Sequence, residues 1–166
     1  MEYTVFPVTG GYAAVAADEA GLARFYLPVE NNHDAVNSLV RDYPGAVEKD
    51  TGLLSETRDM VKAYFRGLEV NFSGLPLSLG NIGDFGRKVL KAVLTIPYGE
   101  TRTYKWAASE AGEKGGARAA GNALNKNPIP VIIPCHRIIL SGGETGGFGA
   151  GIKWKIRLLK LEKIMK

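Results

Sequence analysis

One cysteine stands in this 166-residue chain, in the stretch "NPIPVIIPCHRII", with Pro134 before it and His136 and Arg137 after it. Those residue types suit nucleophilic chemistry. Positive charge beside a sulfur favours the thiolate, the reactive form, so Cys135 is the candidate nucleophile and His136 its candidate base. A lone cysteine is also commonly a small buried hydrophobe. Against that, Pro134 closes an apolar run and so puts Cys135 where the chain leaves the core. A glycine-rich loop, "LSGGETGGFGAG", follows as a ready wall for a pocket. Neighbours on an ideal strand face opposite ways. His136 therefore serves Cys135 only if the backbone turns after Pro134, or if a water bridges the two. A histidine working through water needs an acceptor to orient it, and Glu162 on the last helix is the leading candidate.

The rest of the composition narrows the chemistry. A single thiol excludes an intrachain disulfide and a cysteine-rich zinc site, and it suits a reducing, cytoplasmic setting. With two histidines, one of them the distant His33, too few soft ligands exist for a metal, and no cofactor is expected. An apolar content of 45% with 23% charged residues is that of a soluble globular protein. No apolar run approaches the roughly 18 residues of a membrane helix, and the N-terminus carries no secretory signal pattern. Charge is uneven. Residues 1–82 hold 6 Lys/Arg against 11 Asp/Glu, and residues 83–166 hold 15 against 6. A basic half suits a polyanionic partner, nucleic acid above all, although a solvated basic face would look the same.

The elements that must position these groups fall into two domains, 1–80 and 81–166. Short apolar runs split by "TGG" and "DEAG" predict a small antiparallel meander over the first 30 residues. Helical spacing follows from His33 and again in "LLSETRDMVKAYFRGL", with Gly67 as a stop. "SGLPLSLGNIGDF" is the boundary. Beyond it "DFGRKVLKAVLTI" reads as a helix with Asp84 as N-cap and Pro97 enforcing its end. Residues 103–111 and 116–125 form two short helices around "GEKGG", a helix-turn-helix candidate that a plain helical hairpin would mimic. Ala117, Ala119, Ala120, Gly121 and Ala123 let the second helix approach another surface closely, with Arg118 and Lys126 as its cations. "VII" at 131–133 reads as a buried strand. "IKWKIRLLKLEKIMK" reads as an amphipathic helix with Trp154, Leu158, Leu161 and Met165 on its apolar stripe, and Trp106 and Trp154 are expected in the core. The fold class is α/β of the α+β kind: a small sheet-and-helix domain, then a mostly helical domain with a winged helix-turn-helix.

"IPYGETRTY", "ARAAGNAL" and "NPIPVIIPCHR", in that order, resemble the O6-alkylguanine-DNA alkyltransferases, and the likeness runs from about Phe85 to Glu162. The resemblance implies direct reversal of DNA damage. Cys135 would accept the alkyl group of O6-alkylguanine, and of O4-alkylthymine as a candidate second substrate, irreversibly and once per chain. His136 would take the thiol proton through water, with Glu162 holding His136. Tyr104 would hydrogen-bond a ring nitrogen of the base, and Asn127 would tie the helix pair to the active-site segment. Arg118 would fill the gap left by the flipped nucleotide. Ala117, Ala119, Gly121, Lys126 and Arg137 complete the implied DNA-binding set, and Ile138, Phe148 and Gly149 line the implied pocket. Family members often carry serine where Gly149 stands. The implied partner is double-stranded DNA, bound through the minor groove by a monomer. Two rivals stay open on residue types alone: a Cys–His–Glu hydrolase or transferase with turnover, and a non-enzymatic helix-turn-helix DNA-binding protein.

Overall fold

A computed structural model describes residues 1–50 and 52–166 and divides them into two compact units, Met1–Leu79 and Gly80–Lys166. In the first unit β1 (Glu2–Val8), β2 (Gly11–Asp18) and β3 (Gly21–Val29) form the expected antiparallel meander. The turns suit their glycines: Gly11 and Gly21 sit at φ 142 and 140, and a Cβ at either would lie under 3 Å from opposing backbone. β2 is central and runs as "AAVAA", buried on both faces, because helices cover it. The first is α1 (Asn32–Asp42), whose N-cap Asn31 accepts from the amide of Asp34. Leu39 of α1 packs with Tyr3, Ala14 and Ala16. The second is α2 (Leu53–Phe65), in contact with β1 and β2, and Gly67 beyond its end takes φ 83. A short strand β4 (Val47–Glu48) adds parallel to β1, giving the order β3-β2-β1-β4. Two residues between loop segments carry no period, so nothing in the sequence marked it.

The second unit opens with α3 (Asp84–Leu94), which buries Val89, Leu90 and Val93. Each buried side chain of this size stabilises by roughly 1.5–3 kcal/mol. Gly83, not Asp84, is its N-cap; Asp84 is the first helical residue and pairs with Arg87, still a favourable place for an acid. β5 (Arg102–Thr103) leads into α4 (Tyr104–Glu110), capped by Thr103 Oγ1 accepting from the Trp106 amide at 3.1 Å. α5 (Ala117–Asn125) follows the "GEKGG" break and packs on α4 and α3. A 3-10 turn, Cys135–Arg137, runs into β6 (Ile138–Ile139), which pairs parallel with β5. α6 (Ile152–Leu161) closes the unit.

Three further expectations for this unit are corrected. Residues 131–133 are a tight turn, not a strand: Pro130 bridges Ile133, the Ile133 amide donates to Ile129 O at 2.9 Å, and Val131 takes φ 74. A short apolar run between prolines is equally compatible with a buried turn, and periodicity cannot separate the two. The stripe that α6 buries is Lys155, Leu158, Leu159 and Glu162, with Trp154 and Leu161 half-buried and Met165 exposed. Neither Trp106 nor Trp154 is in the core. Each is half-buried under a guanidinium, Arg102 at 5.9 Å and Arg157 at 4.6 Å from the ring centroids.

Candidate active site

The turn after Pro134 seats all three of its side chains in the interior. A 3-10 helix places successive side chains about a third of a revolution apart rather than on opposite faces, so Cys135, His136 and Arg137 fan into one interior. The chain does not leave the core here, contrary to the reading of Pro134: Cys135 is 6% exposed, His136 0% and Arg137 4%. The Cys135 amide donates to Ile133 O at 2.8 Å and the Arg137 amide to Pro134 O at 2.9 Å, which holds the turn.

Asn127, just past the end of α5, grips the segment with its side chain. Its Nδ2 donates to Ile133 O at 2.9 Å and to Cys135 Sγ at 3.1 Å, while its Oδ1 accepts from the Ile129 amide at 2.9 Å. One amide thus joins the second helix of the pair to the sulfur.

The thiol pKa is raised, not lowered as expected from the neighbouring His136 and Arg137. Burial pushes Cys135 up to about 11, against the lowering by the Asn127 hydrogen bond and by the Lys155 charge. Desolvation wins because little water reaches the sulfur to stabilise an anion. The cation that faces the thiol is Lys155, a residue absent from the set expected on sequence grounds. It is fully buried, and its Nζ donates to Ile138 O, to Gly147 O at 3.1 Å and to Tyr104 Oη at 3.4 Å. Burial brings its pKa down to about 8, with the Cys135 charge acting the other way. A signal was available: Lys155 lies seven residues before Glu162, on the same helical stripe.

Glu162 caps α6 at 3% exposure and accepts from His136 Nε2 at 2.6 Å. Arg137 presents Nε at 3.0 Å and Nη2 at 3.0 Å to the same carboxylate, and the Gly99 amide donates at 3.2 Å. Burial raises Glu162, but the bonds and charges of His136 and Arg137 outweigh it and hold the carboxyl at about 2. Burial also lowers His136 below its usual 6.5, against the pull of Glu162. The arrangement is then a neutral imidazole on a carboxylate paired with arginine. An ionised carboxylate only accepts, so Nε2 carries the ring proton and Nδ1 is the basic nitrogen. The reading of Arg137 as a DNA contact does not survive, since its guanidinium is buried, bonded to Glu162 and to Ile96 O at 2.5 Å. No group of three or more His, Cys, Asp or Glu side chains suited to a metal occurs among the described residues, and none of their helices is long and apolar enough to cross a membrane.

α5 turns a mixed face outward. Arg118, Ala119, Asn122, Asn125 and Lys126 are exposed or partly so, Ala117 and Gly121 half-buried, and Ala120 and Leu124 anchor the inner side. Beside it lies a cavity of about 370 Å³, lined by Tyr104, Arg118, Gly121, Asn125, Leu140 and Gly147 among others. Tyr104 leaves the first turn of α4 and donates through Oη to Gly147 O at 3.2 Å, with burial raising its pKa. A Cβ at Gly146 would stand 2.8 Å from that hydroxyl, and one at Gly149 would stand 2.9 Å from Asn125 O. The exposed Gly149 is therefore required by this backbone, and the loop touches the end of α5 directly. Ile138 is fully buried and Phe148 half-buried. Cys135 is bonded to Asn127, His136 and Arg137 share the Glu162 carboxylate, and Tyr104 is bonded to Lys155. Arg118 and Lys126 stand on the outer face of α5.

A sequence model of the "6-O-methylguanine DNA methyltransferase, DNA binding domain" matches residues 84–164. The methylated-DNA–protein-cysteine methyltransferase of Methanosarcina acetivorans is 34% identical over 98% of this chain and 98% of its own length. The chain belongs to that family. A Mycobacterium bovis member is 47% identical over 69% of this chain and 68% of its own length. The crystal structure of Mycobacterium tuberculosis OGT in complex with DNA superposes with a TM-score of 0.80 at 35% identity, over 98% of this chain and 93% of that one. The methyltransferase fold is further matched by the Pyrococcus kodakaraensis protein, with a TM-score of 0.71 at 20% identity.

Proposed function

We propose that this methyltransferase repairs duplex DNA by direct reversal, moving the alkyl group of O6-alkylguanine onto Cys135 in a single event. The observation that carries the reading is the link from Cys135 Sγ through Asn127 to α5, beside a buried His136–Glu162 pair. Sγ attacks the alkyl carbon as the bond from carbon to O6 breaks, and the electron pair leaves with the guanine. The thiol proton passes through a water to Nδ1 of His136, the nitrogen left basic by the Glu162 contact. A thiol held at about 11 stays protonated at rest, so this proton transfer belongs to the reaction itself. Tyr104, next to the Lys155 ammonium, donates to a ring nitrogen and neutralises the departing base. A thioether has no carbonyl for water to attack, so the chain accepts one group and stops.

The alkylated oxygen is hidden in a duplex, so the base must be flipped out, at a few kcal/mol. Phosphate contacts from the basic half and insertion of Arg118 into the stack offset this. The small residues Ala117, Ala119 and Gly121 suit close approach in the minor groove. Lys126 is the phosphate contact at the end of α5, while Ile138, Phe148 and Gly149 form the pocket wall. We assign a monomer in the cytoplasm, where the thiol stays reduced. Intact mass after incubation with an O6-methylguanine duplex tests the reading. One added methyl on the peptide holding Cys135 is expected, with none on Cys135→Ala, which keeps its affinity for DNA. Restoration of the base with an unmodified sulfur would overturn it.

A further inference from the structure

One stretch of chain at the site plays no part in the mechanism above. It is the turn "IPYG" at 96–99, far in sequence from the thiol, folded around Glu162. Its three contacts converge. Ile96 O accepts Arg137 Nη1 at 2.5 Å, the Gly99 amide donates to Glu162 Oε2 at 3.2 Å, and Tyr98 Oη donates to Leu161 O at 3.1 Å. The Arg137 guanidinium also lies 5.9 Å from the centroid of the Tyr98 ring. We infer that Tyr98 is a positioning residue for alkyl transfer, fixing the C-terminal end of α6 so that Glu162 holds one tautomer of His136.

Leu161 ends α6, and its carbonyl is one of the last four that a helix cannot satisfy internally. The Tyr98 hydroxyl supplies a donor to it. Glu162 is the next residue, so the peptide that carries the carboxylate is tied to the turn at both its backbone and its side chain. Gly99 and Arg137 act on the imidazole indirectly, by placing the Glu162 oxygens. Glu162 accepts the Nε2 proton of His136, whereas the charges of Arg137 and Lys155 oppose protonation of the ring. If Glu162 drifts, the proton has no reason to stay on Nε2. A ring with its proton on Nδ1 cannot take one from the thiol. Tyr98 thus controls the competent fraction of the base without touching substrate or sulfur.

The inference rests on the proposed alkyl transfer, and its test separates the two. The chain has only two histidines, so nitrogen-15 spectra of labelled protein resolve His136 from the exposed His33. The native protein is expected to show His136 as the single Nε2–H tautomer. Tyr98→Phe removes only the hydroxyl and should give a tautomer mixture. Its transfer rate should fall about fivefold to tenfold, the worth of one hydrogen bond, with DNA affinity unchanged. Tyr98→Leu also removes the ring under Arg137 and should shift the mixture further. A lower melting temperature with the native tautomer and native rate would make Tyr98 a structural prop and overturn the inference. So would a slower rate with the tautomer intact. Native protein that transfers nothing, yet shows the Nε2–H tautomer lost in Tyr98→Phe, would sink the alkyl-transfer reading and leave the tautomer control standing.

Discussion

The charged residues of the site set two opposing pH limits. His136 is held below its usual 6.5, so it remains a neutral base as pH falls through that value. Lys155 loses its proton as pH rises through about 8, and with it goes the charge that faces both thiol and Tyr104. The single-turnover rate should therefore hold at pH 6.5 and decline above about 8, read from transfer time courses on one duplex. Lys155→Met should abolish the alkaline decline by lowering the whole profile. Glu162 titrates on a different axis, stability. Its folded pKa of about 2 lies below the ordinary 4.5, so its contribution is complete above 4.5 and is lost as pH falls toward 2. Glu162→Gln would leave the buried Arg137 charge unmatched, at about 3–5 kcal/mol. Thermal melts should show a lower melting temperature at neutral pH and a flatter acid slope than the native protein.

At the scale of elements, length of pattern decides what a sequence reveals. The helices of the first unit are legible from their 3.6 spacing, the meander from the turn residues between its apolar runs, and the α4–α5 pair from the glycine break that separates them. Cys135, His136 and Glu162 can be named from residue type, yet not their burial. Proline after an apolar run suggests that the chain surfaces, whereas Pro134 starts a turn inside the core. Arg137 resembles a phosphate contact because charge usually means surface, and its partner lies 25 residues on, beyond any local pattern. Lys155 is hidden by the same assumption. On α2, Thr57 is fully buried and its hydroxyl has no hydrogen-bond partner among the described residues. An unmatched buried hydroxyl costs about 1–3 kcal/mol. Thr57→Val keeps the shape, so denaturant unfolding should show a gain of about 1 kcal/mol with transfer unchanged.

Across the whole molecule, charge is the property that composition conveys best. The basic residues of 83–166 are spread widely, and on α5 and its cap the cations are Arg118 and Lys126, both on the outer face. Each phosphate contact contributes about 0.9 to the slope of log affinity against log salt. Lys126→Gln should lower that slope by about one unit, whereas Arg118→Ala should chiefly slow transfer, since inserting into the stack serves flipping. Titrations at several salt concentrations separate the two. Val131 carries a last implication. A β-branched residue at φ 74, sealed at 0% exposure, holds about 1–3 kcal/mol of backbone strain that only the assembled domain can restrain. That loaded spring is released when the segment opens, so the Ile133 amide should exchange with deuterium sooner than those of Val89 to Val93, equally dry though they are. The acceptor's own cradle would then be the first part of the interior to breathe.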